Sequence, residues 1–218
     1  MRYHKSSYHV LQMNPIPHLP GSLHKRLREA TQASHLDVER HPPLAPLLHP
    51  DLGQHSYIRV LQAFRRFYQA CEPELTYGLI AGTEAGSVQY RYQSRSQLLA
   101  EDLHDLNTNG FTLAIETDVP GSSVLQTPEH ILGWLYVLEG ATQGGRVIAP
   151  RVSRALGLNE TFGARYFHLY TRNNWRMFQT LMDTCQGSYR HSKVVEGAIA
   201  AFENLLTHLN AGNTIERV

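Results

Sequence analysis

Apolar residues recur at intervals of three and four along most of this chain, and nowhere do they alternate for long with polar ones. That is the period of helices. The first such face is Leu23, Leu27, Ala30, Ser34 and Val38, with Ser22 as N-cap. It must end by His41, because Pro42 and Pro43 remove donors and push the residue before them out of the α region. Residues 41–50 carry four prolines and read as a stiff connection. A second face, Tyr57, Val60, Leu61, Phe64, Phe67, Tyr68 and Cys71, predicts a helix over 54–77, with Pro73 able to kink or divide it. Residues 81–89 read as a loop, 94–106 as a helix that ends near the turn at 107–110, and 111–127 as a short strand or open loop. Thr127 followed by Pro128 is an N-cap with proline in the first turn. The helix it starts is expected to reach Leu156 and stop at Gly157. Two further helices are expected over 161–185 and 192–209.

The pattern has no internal repeat and predicts an all-α fold, a single-domain multi-helix bundle over 22–210. Residues 1–21, with Pro15, Pro17, Pro20 and Gly21, form an N-terminal extension, and 211–218 a tail.

Composition narrows the function classes. Apolar residues are 42% and charged residues 18% of the chain, which suits a packed core. A formal charge of +1 without a basic block gives no nucleic-acid footprint and no pull toward an anionic membrane. The longest apolar stretch, 131–148, is interrupted by Glu139, Arg146 and four glycines, so no membrane span is expected. Cys71 and Cys185 are too few for a secreted disulfide framework, and no apolar run follows Arg2 and Lys5 as a signal peptide would require. A cytoplasmic protein with reduced thiols is expected. The 13 histidines raise the question of a metal.

Two segments carry candidate chemistry. In the first, Leu27 to Glu39, a helix places Arg28, Thr31 and Glu39 on the His35 side. A histidine that binds a metal through one ring nitrogen usually gives its other N–H to an oxygen acceptor, and Glu39, one turn on, is placed to be that acceptor. Arg28 lies roughly 10 Å from His35 along the axis, the scale on which a guanidinium meets a carboxylate at the edge of a large flat cofactor. Taken alone, the same residues more readily describe a packing histidine on a solvated helix.

The second segment, Gly133 to Ile148, is helical at its flanks but holds Gly140, Gly144 and Gly145 inside. Each interior glycine costs a helix about 1 kcal/mol relative to alanine. One compensation is backbone lying directly against a flat ligand; another is close packing between helices, or a loop between two shorter ones. A phosphate loop is excluded, since no strand precedes the glycines and no lysine follows them.

Together, Leu27-Arg28-Glu29-Ala30-Thr31 with His35 and Glu39, and Gly140-Ala141-Thr142-Gln143-Gly144-Gly145-Arg146-Val147-Ile148, resemble the proximal and distal helices of the heme oxygenases. The setting of Trp134 to Gly140, Tyr166 to Tyr170 and Trp175 is most similar to the bacterial branch that includes the bacteriophytochrome-associated enzymes. The resemblance implies haem as both cofactor and substrate, with dioxygen as co-substrate. Electrons would come from a separate ferredoxin or reductase, and the products would be biliverdin, carbon monoxide and ferrous iron. It implies His35 as the iron ligand, Glu39 as acceptor for its far nitrogen, and Gly140, Gly144 and Gly145 as distal backbone. Thr31 falls on the haem side of the proximal helix, and Arg28 contacts a propionate. A second propionate contact falls to Arg176, with Arg172 its competitor. Tyr136 either meets the haem edge or fills core. Many members of the family carry an aspartate after the first distal glycine; here Ala141 takes that place, and proton delivery would run through water, Thr142, Gln143 or another polar group.

A haem-binding, transport or sensing protein without turnover is the alternative, favoured by Ala141. A thiamin-degrading relative of the same helical fold would need a reactive cysteine among pocket carboxylates, and neither Cys71 nor Cys185 has that setting.

Overall fold

A computed structural model describes residues 22–82, 90–108, 127–185 and 187–211. The helices are α1 (Leu23–Ala30), α2 (Gln32–Glu39), α3 (Gln54–Gly82), α4 (Arg95–Thr108), α5 (Pro128–Thr142), α6 (Gly145–Leu156), α7 (Asn174–Cys185) and α8 (His191–Ala211). Two 3₁₀ segments, Pro42–Leu48 and Tyr166–Thr171, join them, and no strand occurs among the described residues. The fold is all-α, as the hydrophobic period predicts.

Helices α5 and α8 form the central pair, with α3 against α8 and α4, and α1 and α2 laid along α8. The core between them holds Trp134 stacked on Phe67 at 6.1 Å and the aromatic group of Tyr57, Phe64, Tyr166 and Phe167. Gly133 and Gly197 let the central pair approach closely, because a Cβ on either would lie 2.1–2.5 Å from a carbonyl oxygen of the other helix.

Start signals are borne out. The Ser22 side chain accepts from the Lys25 N–H and the Thr127 hydroxyl from the His130 N–H. Gly157 ends α6 in the left-handed region at φ 70°. Cys71 and Cys185 are both free thiols. No helix among the described residues is long and apolar enough to cross a membrane.

Five expectations are corrected. The first helix divides at Thr31, where φ is −98° and ψ 2° and the hydroxyl donates to the Leu27 carbonyl at 2.8 Å. The proline-rich connection is itself a 3₁₀ helix, since proline suits its first turn. Helix α3 continues through Pro73, which is exposed.

The helix expected over 128–156 is two helices, with bonds tightening to i→i−3 at Gln143, Gly144, Arg146 and Val147. The helix expected over 161–185 begins only at Asn174. Upstream, the N–H groups of Gly163, Arg165 and Tyr166 go to the Asp105 and Asp102 carboxylates of α4 at 2.9–3.0 Å instead of to helical carbonyls. Gly163, at φ 73°, turns the chain so that this is possible. The reading of 111–126 as strand or loop, the extension 1–21, and most of the 81–89 loop and of the tail lie outside the described residues.

Candidate functional site

His35 projects from α2 with 60% of its side chain exposed, and its Nδ1 lies 3.4 Å from Glu39 Oε1. The pairing follows from the i, i+4 spacing and turns one ring nitrogen toward the carboxylate, leaving Nε2 for another partner. Phe202 of α8 stands edge-on to the imidazole at 6.2 Å. Sequence reasoning missed Phe202, since only tertiary packing brings α8 beside α2.

One and two turns upstream, Thr31 is buried and Arg28 is exposed. Both lie near Tyr136 of α5. Burial raises the Tyr136 phenol above its ordinary value, while a hydrogen bond with Thr31 and the Arg28 charge pull it back. The Tyr136 ring meets His24 at 5.9 Å and Trp175 of α7 at 6.2 Å, and His24 meets Trp175 at 6.1 Å. These contacts bring α1, the glycine-bearing helix α5 and α7 to one place. His24 was also missed, although it lies four residues before Arg28 on the same helix face.

The three glycines serve different neighbours. A Cβ on Gly140 would only touch Trp175, at 3.8–4.0 Å. One on Gly144 would meet nothing beyond its own turn, Ala141 O at 3.2 Å and Ile148 Cδ1 at 3.9 Å. One on Gly145 would strike the Phe167 carbonyl at 2.0 Å. Gly145 is therefore demanded by packing of α6 on the Tyr166–Thr171 segment, and its Cα faces protein.

Thr142 is buried and donates to the Glu139 carbonyl at 2.6 Å; the Gln143 amide donates to the Thr142 hydroxyl at 3.2 Å. Arg176 is exposed on α7 next to Trp175, and Arg172, also exposed, precedes that helix. Arg176 follows Trp175 in sequence, and the Trp175 ring meets Tyr136 at 6.2 Å.

Behind α5 lies a buried polar network that sequence reasoning did not anticipate. Arg95 Nη2 is 2.6 Å from Glu139 Oε1, with the two side chains 1% and 0% exposed. The Arg95 guanidinium also lies 4.1 Å over the Tyr92 ring. The Tyr90 hydroxyl donates to Glu139 at 2.6 Å, and Tyr68 and Tyr166 bond through their hydroxyls at 2.9 Å. The sequence signal was an acid inside an otherwise apolar helix.

The heme oxygenase family profile matches residues 21–210. A heme oxygenase of Xanthomonas campestris pv. campestris is 29% identical over 159 residues, covering 72% of this chain and 90% of its own. The NO- and CO-bound heme oxygenase of Neisseria meningitidis shares the fold with a TM-score of 0.67 at 19% identity, over 91% of this chain and 96% of that one. Heme oxygenase-1 of the cyanobacterium Synechocystis, solved with heme, gives 0.62 at 19% identity over 89% and 95% of the two chains. The Leptospira interrogans heme oxygenase gives 0.66 at 22% identity over 89% of this chain and 100% of its own. By the extent of the profile match and the fold it shares with these enzymes, the chain belongs to the heme oxygenase family.

Proposed function

We propose that the protein cleaves haem oxidatively to biliverdin, carbon monoxide and ferrous iron, with His35 as the axial ligand and dioxygen as co-substrate. The observation that carries this reading is the exposed His35 imidazole, backed on Nδ1 by Glu39 at 3.4 Å, on α2, which directly follows the Arg28 turn of α1 and the Thr31 cap that reach Tyr136 of the glycine-bearing helix. The residues fit the substrate. A neutral imidazole with one nitrogen held by a carboxylate is a basic, oriented iron ligand. Gly140 and Gly144 offer main chain without side chains where a planar macrocycle needs close approach.

Haem brings the iron-centred dioxygen chemistry and is itself the carbon skeleton that is opened. The chain's part is to seat it. Arg28 and Arg176 hold the two propionates by charge-assisted hydrogen bonds, with Arg172 the alternative to Arg176. Tyr136 and Trp175 pack against the macrocycle edge, and Thr31 orients Tyr136. Phe202 fixes the plane of the His35 ring. On the distal side Thr142 and Gln143 supply polar groups along a helix that has Ala141 where many relatives carry an acid. Gly145 acts indirectly, by allowing the α5–α6 turn that presents Gly144.

Electrons come from a separate ferredoxin or reductase, in a reducing cytoplasmic compartment that suits two free thiols. Two uses of the reaction stand side by side, iron acquisition and, by the resemblance to the bacterial branch, chromophore supply to a bacteriophytochrome. Adding hemin, then a ferredoxin and reductase system in air, tests the reading. Stoichiometric uptake, loss of the Soret band and a green pigment are expected. A Soret band that persists under reduction identifies a haem-binding protein without turnover.

A further inference from the structure

Glu139 sits within the apolar run of α5 and is wholly buried, as is Arg95 at the start of α4. The Arg95 Nη2 and the Tyr90 hydroxyl both donate to Glu139 Oε1, each at 2.6 Å. The neighbouring Glu72 is served differently. Its two oxygens accept from the Tyr92 and Ser94 hydroxyls and from the Arg95 and Ser96 backbone N–H groups. In contrast, Glu139 Oε2 and Arg95 Nε are buried with no hydrogen-bond partner among the described residues. One is an acceptor and the other a donor, and they belong to side chains already joined through their other atoms. Buried polar atoms of charged groups are rarely left bare, because nothing else in the interior replaces their hydration.

A line of ring contacts joins the pair to the Gly140 side of α5. Glu139 directly precedes Gly140. Tyr90 packs edge-on against Phe178 at 5.7 Å, Phe178 against Trp175 at 5.9 Å, and Trp175 is what a Cβ on Gly140 would meet at 3.8 Å. From the Glu139 carbonyl, polar groups continue along the helix: the Thr142 hydroxyl at 2.6 Å, the Gln143 amide on Thr142 at 3.2 Å, and Arg146 Nε on Gln143 at 3.1 Å.

The geometry points to an internal water that accepts from Arg95 Nε and donates to Glu139 Oε2, and to this charged pair as the polar anchor behind the Gly140 wall. The distal role rests on the haem-cleaving reading above. Glu139 and Arg95 are then positioning residues, acting on the distal side through the ordered water and the local field. Other titratable groups facing them are Tyr68, Cys71 and Glu72 of α3, Tyr90 and Tyr92 before α4, and Tyr166. Burial pushes the four phenols and the thiol upward, so they remain protonated.

Two measurements test the inference. A crystal structure of the apoprotein that orders internal water is expected to place one water within hydrogen-bond reach of both atoms. A direct Nε–Oε2 contact that closes the pair as a two-bond fork overturns it, and this arm needs no variant to fold. In the haem-loaded ferric protein, Glu139→Gln leaves the Arg95 charge unbalanced. The pH midpoint of the acid–alkaline spectral change then falls by about one unit, as for an unbalanced charge roughly 10 Å away at an effective dielectric near 20. Adding Arg95→Met removes both charges and returns the midpoint toward that of the unmodified protein, although it removes more of the network. A midpoint unmoved in the single variant, or displaced further in the double, overturns the distal role. Apoprotein that shows the water yet takes up no haem supports the water site while sinking the functional reading, so the two failures are distinct.

Discussion

Gly133 of α5 and Gly197 of α8 meet backbone to backbone: a Cβ on Gly133 would lie 3.0 Å from the Gly197 carbonyl carbon and 2.1 Å from Val194 O. This crossing sets the spacing between the helix that carries Gly140 and the helix that carries Phe202 beside His35. Gly133→Ala is expected to force the helices apart and cost about 1–3 kcal/mol, the usual range for overpacking a filled core. Gly187→Ala, where a Cβ would meet nothing within 4 Å, serves as the control. Denaturant unfolding reads both; equal midpoints would show that the crossing has slack.

His35→Ala is expected to separate ligation from folding. The side chain is 60% exposed, so apoprotein stability should change by no more than about 0.5 kcal/mol. The ferric haem complex should lose its axial-histidine spectrum and regain it on adding imidazole. Glu39→Gln should weaken ligation by roughly 10- to 100-fold, as loss of an outer-shell partner generally does. An axial-histidine spectrum that survives His35→Ala assigns the ligand elsewhere.

Arg28→Ala and Arg176→Ala should each lower haem affinity by roughly tenfold, in line with a lost charge-assisted hydrogen bond of about 1.5–3 kcal/mol partly offset by solvent. With one propionate released, the macrocycle turns in its seat, so the ratio of biliverdin isomers shifts. Chromatography of the pigment reads this. If Arg172→Ala shifts the ratio and Arg176→Ala does not, the second propionate belongs to Arg172.

What was legible in the sequence was what local chemistry determines. The 3.6-residue period gave the helices, Ser22 and Thr127 their starts, and Gly157 the end of α6. The i, i+4 spacing gave the His35–Glu39 pair. What was not legible depends on partners distant in sequence. The chain before Asn174 is not helical because Asp102 and Asp105 capture its backbone N–H groups from some sixty residues away, and the close approach of the Phe167 carbonyl to Gly145 is likewise beyond any local rule. Nor does any local rule pair Glu139 with Arg95. Of the three glycines that read alike in sequence, only the structure separates the one that packs from the two that face open space or a ring.

His208 makes stability depend on pH. Burial lowers its pKa below the ordinary histidine value, outweighing the bond between Nδ1 and the Asn204 carbonyl at 2.9 Å. The unfolded chain therefore takes up the proton first. The contribution is fully favourable above the unfolded value near 6.5 and is lost progressively as pH falls below it. His208→Leu, placed against Phe67, should flatten the fall in unfolding free energy between pH 7.5 and 5.5. An unchanged slope would assign the pH dependence to other groups.

Gly144 and Gly145 are adjacent, and the structure gives them opposite reasons for being glycine. At Gly145 a Cβ would sit 2.0 Å from the Phe167 carbonyl and 2.9 Å from the Tyr170 ring, so Gly145→Ala should damage folding, by about 1–3 kcal/mol or more. At Gly144 a Cβ would meet only its own turn, so Gly144→Ala should fold with nearly the stability of the unmodified protein. If Gly144 lies on the distal wall, Gly144→Ala should still change the carbon monoxide stretching frequency of the ferrous haem complex, and Gly144→Leu should block turnover while the apoprotein remains folded. The loss in a folded Gly144→Leu protein would then be steric at the site. Full activity in a folded Gly144→Leu protein would mean that haem lies against another face of α5, and the distal assignments of Gly140 and Thr142 would go with it.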